Sequence, residues 1–244
     1  MEYLNSESKK ENDMQDFIPK CQCERCDLRD MFFGFVGNDE MDNICISRKE
    51  IRHSKGDIII SEGQDINEFI YLKEGLVKLF KSADDGKDQI IAIGKPLDFV
   101  SLLSVFSDNH YKYSVSALEE SVTCHIRLER ITGLAEVNGR FALNVMKKMS
   151  RISDDVILDL LIVRKKMLKG RVAHVLLMFS KEIFFSRIFE LPISRREFAE
   201  YIGMTTENVI RTLSEFRKDK ILRIYGKSIE IVEMERLQSI SEHG

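Results

Sequence analysis

The chain has 244 residues, of which 43% are hydrophobic and 32% charged, and its formal net charge at neutral pH is −3. This composition is typical of a globular protein with one large or two modest domains, and it argues against a largely disordered chain. Residues 1–19 lack the apolar segment of a signal peptide, and no apolar run is long enough to span a bilayer. We therefore expect a cytoplasmic protein without membrane contact.

Residues 1–27 are predicted to form an N-terminal extension with a cysteine-rich segment. Its three cysteines, Cys21, Cys23 and Cys26, lie within six residues, and they are expected to be thiols or metal ligands rather than structural disulfides. Cys45 is a further candidate ligand. The alternative is that the first three are free thiols and that Cys124 is a small buried hydrophobic residue.

Residues 28–137 are predicted to form a β-rich sensor domain. From about residue 48 to residue 130, short apolar runs alternate with turn signals rich in glycine and aspartate. Short strands at such spacing predict a sandwich, roll or barrel. Three histidines of this region, His53, His110 and His125, are conceivable haem ligands, although a lone histidine is more often a surface or core residue.

Residues 138–169 are predicted to form a long dimerisation helix. Apolar residues recur there at spacings of three and four or their sums, which is the pattern of a seam between two helices. The predicted interface residues are Val145, Met149, Ile152, Val156, Asp159 and Val163. Asp159 facing its copy across a two-fold axis would weaken the dimer by charge repulsion. The alternative is a single helix buried in one chain.

Residues 170–244 are predicted to form a winged helix-turn-helix. Ser194 and Glu197 fit a capping box at the start of a short helix. Gly203 permits a sharp turn, and Thr205 or Thr206 then caps a second helix that reaches about residue 218. Residues 221–232 form a hairpin pattern with a basic tip, which predicts the wing.

The second helix has an inward apolar face and an outward polar one. Its outward residues are Glu207, Ile210, Arg211 and Ser214. Arg211 can donate two hydrogen bonds to guanine, and Glu207 can accept one from cytosine. Ile210 would suit a thymine methyl group. The alternative is that Glu207 and Arg211 form a surface ion pair across one helical turn.

Local charge supports a nucleic-acid partner. Between residues 205 and 227, six lysines and arginines outnumber three acidic residues, an excess of +3 within an acidic chain. Such an excess favours contact with DNA phosphates. The predicted DNA-binding residues are Ser194, Thr205, Thr206, Glu207, Ile210, Arg211, Ser214 and Lys227.

The order of these features resembles the CRP/FNR family of bacterial transcription regulators, with the FNR branch most similar. The resemblance rests on residues 55–63, 71–75 and 193–211 and on the long helix between them. It implies an α+β fold: a jelly-roll-like, cyclic-nucleotide-binding-like β-roll, a dimerisation helix and a winged helix-turn-helix. It also implies a homodimer on a two-fold site of double-stranded DNA, with Glu207 and Arg211 on a G·C pair in each half-site. Ile210 replaces the serine typical of the FNR branch. RNA polymerase is a further candidate partner.

The resemblance leaves the effector open. The family's cyclic AMP (cAMP) pocket uses an Arg-Ser pair, which is missing from the matching residues 96–101 and 111–114, and Asp98 adds a negative charge. We therefore do not expect cAMP binding of that type, although Lys112 could attract another anion. Cys124 matches the distant cluster ligand of the FNR branch, so the resemblance implies an iron–sulfur cluster, or equally a zinc site, held by Cys21, Cys23, Cys26 and Cys124. The spacing of the first three cysteines departs from that branch.

Two other classes of function remain as alternatives. The chain could be a redox or metal sensor, with iron–sulfur, zinc or haem, whose DNA-binding head is vestigial. An enzyme is not expected, because the sequence offers no nucleophile–base constellation, phosphate loop or His/Glu metal pair.

Overall fold

The computed structural model of this chain describes residues 36–37, 44, 48–83, 88–101 and 103–244. The predicted N-terminal extension lies outside these residues. Three predicted metal ligands, Cys21, Cys23 and Cys26, therefore lie outside them too, and so does Cys45.

Seven strands form the first half of the described chain. They are β1 (Lys49–His53), β2 (Ile58–Ile60), β3 (Glu68–Glu74), β4 (Val77–Ser82), β5 (Asp88–Gly94), β6 (Ser114–Ala117) and β7 (Ser121–Arg127). They pair antiparallel in two sheets, with strand orders β1-β7-β3 and β2-β6-β4-β5. The alternating apolar residues of both sheets meet in one core. This arrangement, which we call the roll, agrees with the predicted fold class.

The turn between β3 and β4 requires glycine. Gly75 has a φ of +87°, and a Cβ atom there would lie 2.3 Å from Ser121 Oγ and 2.5 Å from the carbonyl oxygen of Glu120. Only a residue without a side chain fits such a close approach between two chain segments.

Three helices follow the roll. They are α1 (Leu128–Val137), α2 (Gly139–Lys165) and α3 (Leu168–Met178), and α3 continues into a π-helical turn at Phe179–Ile183. The side chain of Asn138 caps α2 by accepting a hydrogen bond from the Phe141 amide. With 27 residues, α2 is about 40 Å long and extends from the roll to the C-terminal part of the chain.

The apolar stripe predicted as the dimer seam is turned toward its own chain. Val145 is buried in the core of the roll, and Val163 is buried in the C-terminal core. Met149 and Ile152 pack against the roll, and Val156 is half-buried. Because a side chain buried within its own chain cannot contact a partner, the predicted interface role of Val145 and Val163 is corrected.

A second apolar stripe lies on the opposite side of α2. Its members are exposed large side chains: Leu143, Met146, Ile157, Leu158, Leu161 and Ile162. A helix that is apolar on both sides has to be covered on both sides, and the roll covers only one of them.

The C-terminal part contains three strands and three helices. They are β8 (Ile188–Glu190), α4 (Arg195–Ile202), α5 (Thr206–Lys218), β9 (Leu222–Tyr225), β10 (Ser228–Ile231) and α6 (Met234–His243). The strands form one antiparallel sheet in the order β8-β10-β9. Leu76 and Leu118 of the roll join the apolar core of this part, so that roll and C-terminal part share buried contacts. Within the described residues, no helix has the length and apolar character needed to cross a membrane.

We predict that Gly75→Ala lowers the free energy of unfolding by about 3 kcal/mol, from left-handed backbone strain together with overpacking. Gly63→Ala is the matched control, because Gly63 has a φ of +81° but open space around its Cβ position. That variant should lose only about 1 kcal/mol. Urea-induced unfolding of both variants measures the difference, and equal losses would contradict the assigned crowding.

Candidate nucleic-acid interface

The start of α4 is held by the predicted capping box. Ser194 Oγ accepts a hydrogen bond from the Glu197 amide at 3.1 Å, and Glu197 Oε2 accepts one from the Ser194 amide at 2.8 Å. At its other end Gly203 adopts a φ of +65°, which ends α4 and turns the chain toward α5. The Ser194 hydroxyl is therefore committed to the cap.

The recognition segment α5 begins at a threonine cap. Thr205 Oγ1 accepts a hydrogen bond from the Asn208 amide at 3.2 Å, so Thr205 rather than Thr206 is the capping residue. The buried face of the helix consists of Val209, Thr212, Leu213 and Phe216. This face packs into the C-terminal core and orients the rest of the helix outward.

The outward face of α5 carries the residues predicted to contact bases. Ile210 is 49% exposed, and Glu207, Arg211 and Ser214 are exposed as well. The Ser214 hydroxyl donates to the Ile210 carbonyl at 2.9 Å, a bond within the helix. The face thus presents a carboxylate, an apolar side chain and a guanidinium group, each with a base edge that it can recognise.

Arg211 has a different partner from the one the helical spacing predicts. Its Nη2 donates to Asn208 Oδ1 at 2.9 Å, whereas the alternative ion pair with Glu207 is not formed. Sequence reasoning missed Asn208. Asn208 lies three residues before Arg211, a spacing at which helix side chains meet, and this could have indicated the contact. Glu207 lies four residues before Arg211, which is an equally good spacing.

The wing follows α5 directly. In the hairpin of β9 and β10, Tyr225 pairs with Ser228, which leaves Gly226 and Lys227 at the tip. Lys227 is exposed there. Arg223 and Glu230 form a cross-strand ion pair at 3.1 Å lower on the hairpin. The basic tip is therefore directed away from the core of the wing.

The helix α4 is attached to the roll through Glu197. Its Oε1 lies 2.9 Å from Lys78 Nζ of β4, while its other oxygen forms the capping box. Burial raises the pKa of Glu197, but hydrogen bonds from the Ser194 amide and from Lys78 outweigh it, so the pKa lies below its ordinary value. Nearby, Lys55 Nζ donates to the Pro192 carbonyl at 3.1 Å.

Asp159 of α2 forms a second attachment. Its Oδ1 lies 3.1 Å from His174 Nε2 of α3, and its Oδ2 accepts a hydrogen bond from the Tyr201 hydroxyl of α4 at 2.7 Å. Burial raises the pKa of Asp159, but these two hydrogen bonds outweigh it and hold the pKa below its ordinary value. The sequence did not predict these partners within the same chain, and the repulsion of Asp159 from its copy across a dimer axis stays a prediction.

The cleft around Asp159 connects the roll with the C-terminal part. It has a volume of about 390 Å³ and is lined by Lys95 and Asp98 of the roll region, by α2, and by His174 and Tyr201. Burial raises the pKa of Asp98, more than the Lys95 amide lowers it. Elsewhere in the roll, Lys112 pairs with Asp108 at 2.5 Å, which already compensates its charge.

The histidines proposed for haem already have protein partners. His125 is buried, with Nδ1 2.6 Å from Glu68 Oε2 and Nε2 2.8 Å from Thr123 Oγ1. His53 Nε2 reaches the same threonine hydroxyl at 2.7 Å. His110 pairs with Asp65 at 3.0 Å. Axial ligation would have to displace these contacts, so the structure does not favour haem.

The described residues do not by themselves form a metal site. Cys124 of β7 is buried in the core of the roll. Among the residues that the structure describes, no group of three or more histidine, cysteine, aspartate or glutamate side chains is placed to hold a metal ion. A cluster or zinc site would therefore depend on cysteines outside those residues.

Two family models match the chain. A cyclic nucleotide-binding domain model matches residues 50–138, and a Crp-like helix-turn-helix domain model matches residues 170–240. The fumarate and nitrate reduction regulatory protein of Vibrio cholerae is 28% identical over 228 residues, covering 90% of each chain. The transcriptional activator protein anr of Pseudomonas aeruginosa is 26% identical over 224 residues, covering 88% of this chain and 91% of the relative.

The fold also matches a solved regulator. FixK2 of Bradyrhizobium japonicum superposes with a TM-score of 0.72 at 23% identity, over 79% of this chain and 96% of that one. The match at this level of identity concerns the fold, and it includes both the roll and the C-terminal head.

We predict that Asp159→Asn lowers the free energy of unfolding at neutral pH by about 1–2 kcal/mol, because it removes a charged acceptor from two donors. Since the folded pKa of Asp159 is depressed, its stabilisation is present above about pH 4 and is lost as the pH falls through the folded value. The variant should therefore lose less stability between pH 5 and pH 3, each about one unit from the ordinary aspartate pKa.

The matched control is Asp154→Asn, since Asp154 is an exposed acidic residue on the same helix. Thermal unfolding from pH 3 to pH 8 at about half-unit steps measures both variants. Parallel stability profiles for wild type and Asp159→Asn would show that the carboxylate contributes nothing through ionisation.

Proposed function

This chain belongs to the CRP/FNR family of transcription regulators, and we propose that it binds two-fold DNA sites as a homodimer, with α5 as its recognition helix. It is a DNA-binding transcription regulator of the CRP/FNR type. The observation that carries the proposed mode of binding is the outward face of α5, where Glu207, Ile210 and Arg211 are exposed within the matched helix-turn-helix.

The base contacts follow from the chemistry of these three side chains. The N-terminal turns of a recognition helix lie against base edges in the major groove. Arg211 donates to the O6 and N7 atoms of guanine, and Glu207 accepts from the N4 amine of the paired cytosine. Ile210 lies between them on the same face and contacts a thymine methyl group.

The remaining polar residues either contact the phosphate backbone or position the elements that do. Thr205 and Thr206 stand at the N-terminus of α5, where free amides and the helix dipole favour an anion. Lys227 at the wing tip supplies a cation to a second phosphate. Ser194 acts indirectly, because its hydroxyl caps α4 and so fixes the position of the helix-turn-helix.

The exposed stripe of α2 forms the dimer interface. Ile157 and Leu161 are 53% and 48% exposed, one turn apart, on the side of α2 that faces away from the roll. A second copy packed against this stripe by a two-fold axis would remove the same apolar surface from water on both chains. A two-fold dimer then presents two α5 helices to two equivalent half-sites.

The two attachments of α4 carry the control of DNA binding. Glu197 ties α4 to the roll and Tyr201, one turn later, ties it to α2. A signal received in the roll or the N-terminal region that shifts either partner must therefore move α4, and α5 with it. The competing view of a vestigial head gives no role to the exposed Ile210 between Glu207 and Arg211 on α5.

We predict that Arg211→Ala lowers the affinity for the selected DNA at least about 30-fold, since a bidentate arginine–guanine contact is worth about 1–3 kcal/mol and the homodimer loses one in each half-site. The duplex is obtained by selection from a degenerate library with wild-type protein, and affinities are measured by mobility shift. Arg236→Ala on α6 is the control, an exposed arginine away from the reading face, and it should stay within about threefold of wild type. The function fails if wild type selects no two-fold motif under reduced, oxidised and anaerobic conditions.

A second prediction concerns the dimer. Ile157→Asp should raise the dimer dissociation constant at least about 100-fold, because two unpaired carboxylates would be buried at the two-fold axis. Val137→Asp is the control, since Val137 is 78% exposed on α1 and lies outside the stripe. Sedimentation velocity separates monomer from dimer. A dimer that survives Ile157→Asp would place the interface elsewhere.

A further inference from the structure

We propose that Asn208 is a positioning residue for DNA recognition, which holds Arg211 and thereby prevents its capture by Glu207. The inference rests on the proposed function of α5 and adds a residue that has no assigned contact with DNA. Its effect is to keep both members of the base-reading pair available for a G·C base pair.

The geometry places two acceptors within reach of one guanidinium group. Asn208 precedes Arg211 by three residues and Glu207 precedes it by four, and side chains at both spacings meet on a helix surface. Arg211 Nη2 donates to Asn208 Oδ1 at 2.9 Å. The Glu207 carboxylate has no hydrogen bond or ion pair with any other residue in the described part of the chain.

A neutral acceptor is better suited to this position than a charged one. An ion pair between Glu207 and Arg211 would neutralise the two groups that read the base pair, and DNA binding would have to break it. The amide of Asn208 occupies one of five N–H donors of Arg211 and leaves its positive charge intact. The remaining donors suffice for the two acceptor atoms of guanine. Restricting the guanidinium group before binding also reduces the entropy lost on association.

The start of α5 does not depend on the Asn208 side chain. The cap is formed by the Thr205 hydroxyl and the Asn208 backbone amide, which every substitution other than proline retains. Variants at position 208 therefore report on the side-chain contact with Arg211 and leave the helix in place.

The test is a double-mutant cycle between two residues that do not touch. The probes are the duplex selected by wild-type protein and the same duplex with the assigned G·C pair of each half-site replaced by A·T. Asn208→Ala should lower the affinity for the selected duplex five- to tenfold and reduce discrimination between the two duplexes by the same factor. In a Glu207→Gln background the other nearby carboxylate is Glu215, which is already paired with Lys169 at 2.8 Å, so Asn208→Ala should cost less than about twofold.

The isosteric variant Asn208→Asp separates this role from a structural one. An aspartate at this position would pair with Arg211 as an ion and neutralise it, so the affinity should fall at least tenfold, and Glu207→Gln should not restore it. Unfolding midpoints of all variants serve as the check on folding.

Each outcome decides between the two proposals. If wild type selects no motif, both the proposed function and the role of Asn208 are overturned. If wild type selects a motif but Asn208→Ala binds both duplexes as wild type does, only the role of Asn208 is overturned. The same holds if Asn208→Ala costs equally in the presence and absence of the Glu207 carboxylate. A cost that disappears in Glu207→Gln, together with a persistent cost for Asn208→Asp, supports the inference.

Discussion

The carboxylate of Glu197 is the interaction on which the position of the DNA-binding head depends. One oxygen completes the cap of α4 and the other accepts a hydrogen bond from Lys78 of the roll. The same group therefore stabilises the helix and joins it to the sensor. Because α5 packs against α4 through shared core residues, this contact and the hydrogen bond from Tyr201 to Asp159 together orient the reading face relative to the roll.

The long helix α2 has two apolar stripes, one against the roll and one exposed, and the spacing of its apolar residues does not distinguish them. Its inward stripe packs on the roll through residues such as Val145 and Met149, and its outward stripe carries Ile157 and Leu161. Both stripes repeat at helical spacing, so periodicity predicts the helix but does not tell which stripe faces the roll. Which stripe faces the roll depends on where the roll lies in three dimensions, and that depends on contacts between residues far apart in the sequence.

Local sequence signals explain why the helix-turn-helix could be predicted better than its contacts with the roll and with α2. The Ser194 cap, the Gly203 turn and the Thr205 cap each involve residues within four positions of one another, and short-range geometry fixes them. The contact of Asp159 with Tyr201 joins residues 42 positions apart, and no spacing rule predicts it. Asn208 is an intermediate case, because two acceptors satisfy the spacing and only the side-chain conformation of Arg211 selects one of them.

The attachments of α4 also restrict how the head can move. If α2 shifted, the Tyr201 hydroxyl and His174 would lose their common acceptor, Asp159, and a half-buried polar group without a partner is costly. Lys78 would lose Glu197 and keep only the longer ion pair with Asp88, at 3.6 Å, in a mostly buried site. Small displacements are therefore resisted, whereas a larger movement that brings new partners or water to these groups is permitted. A head held in this way has discrete positions, which suits a regulator that must switch between binding and releasing DNA.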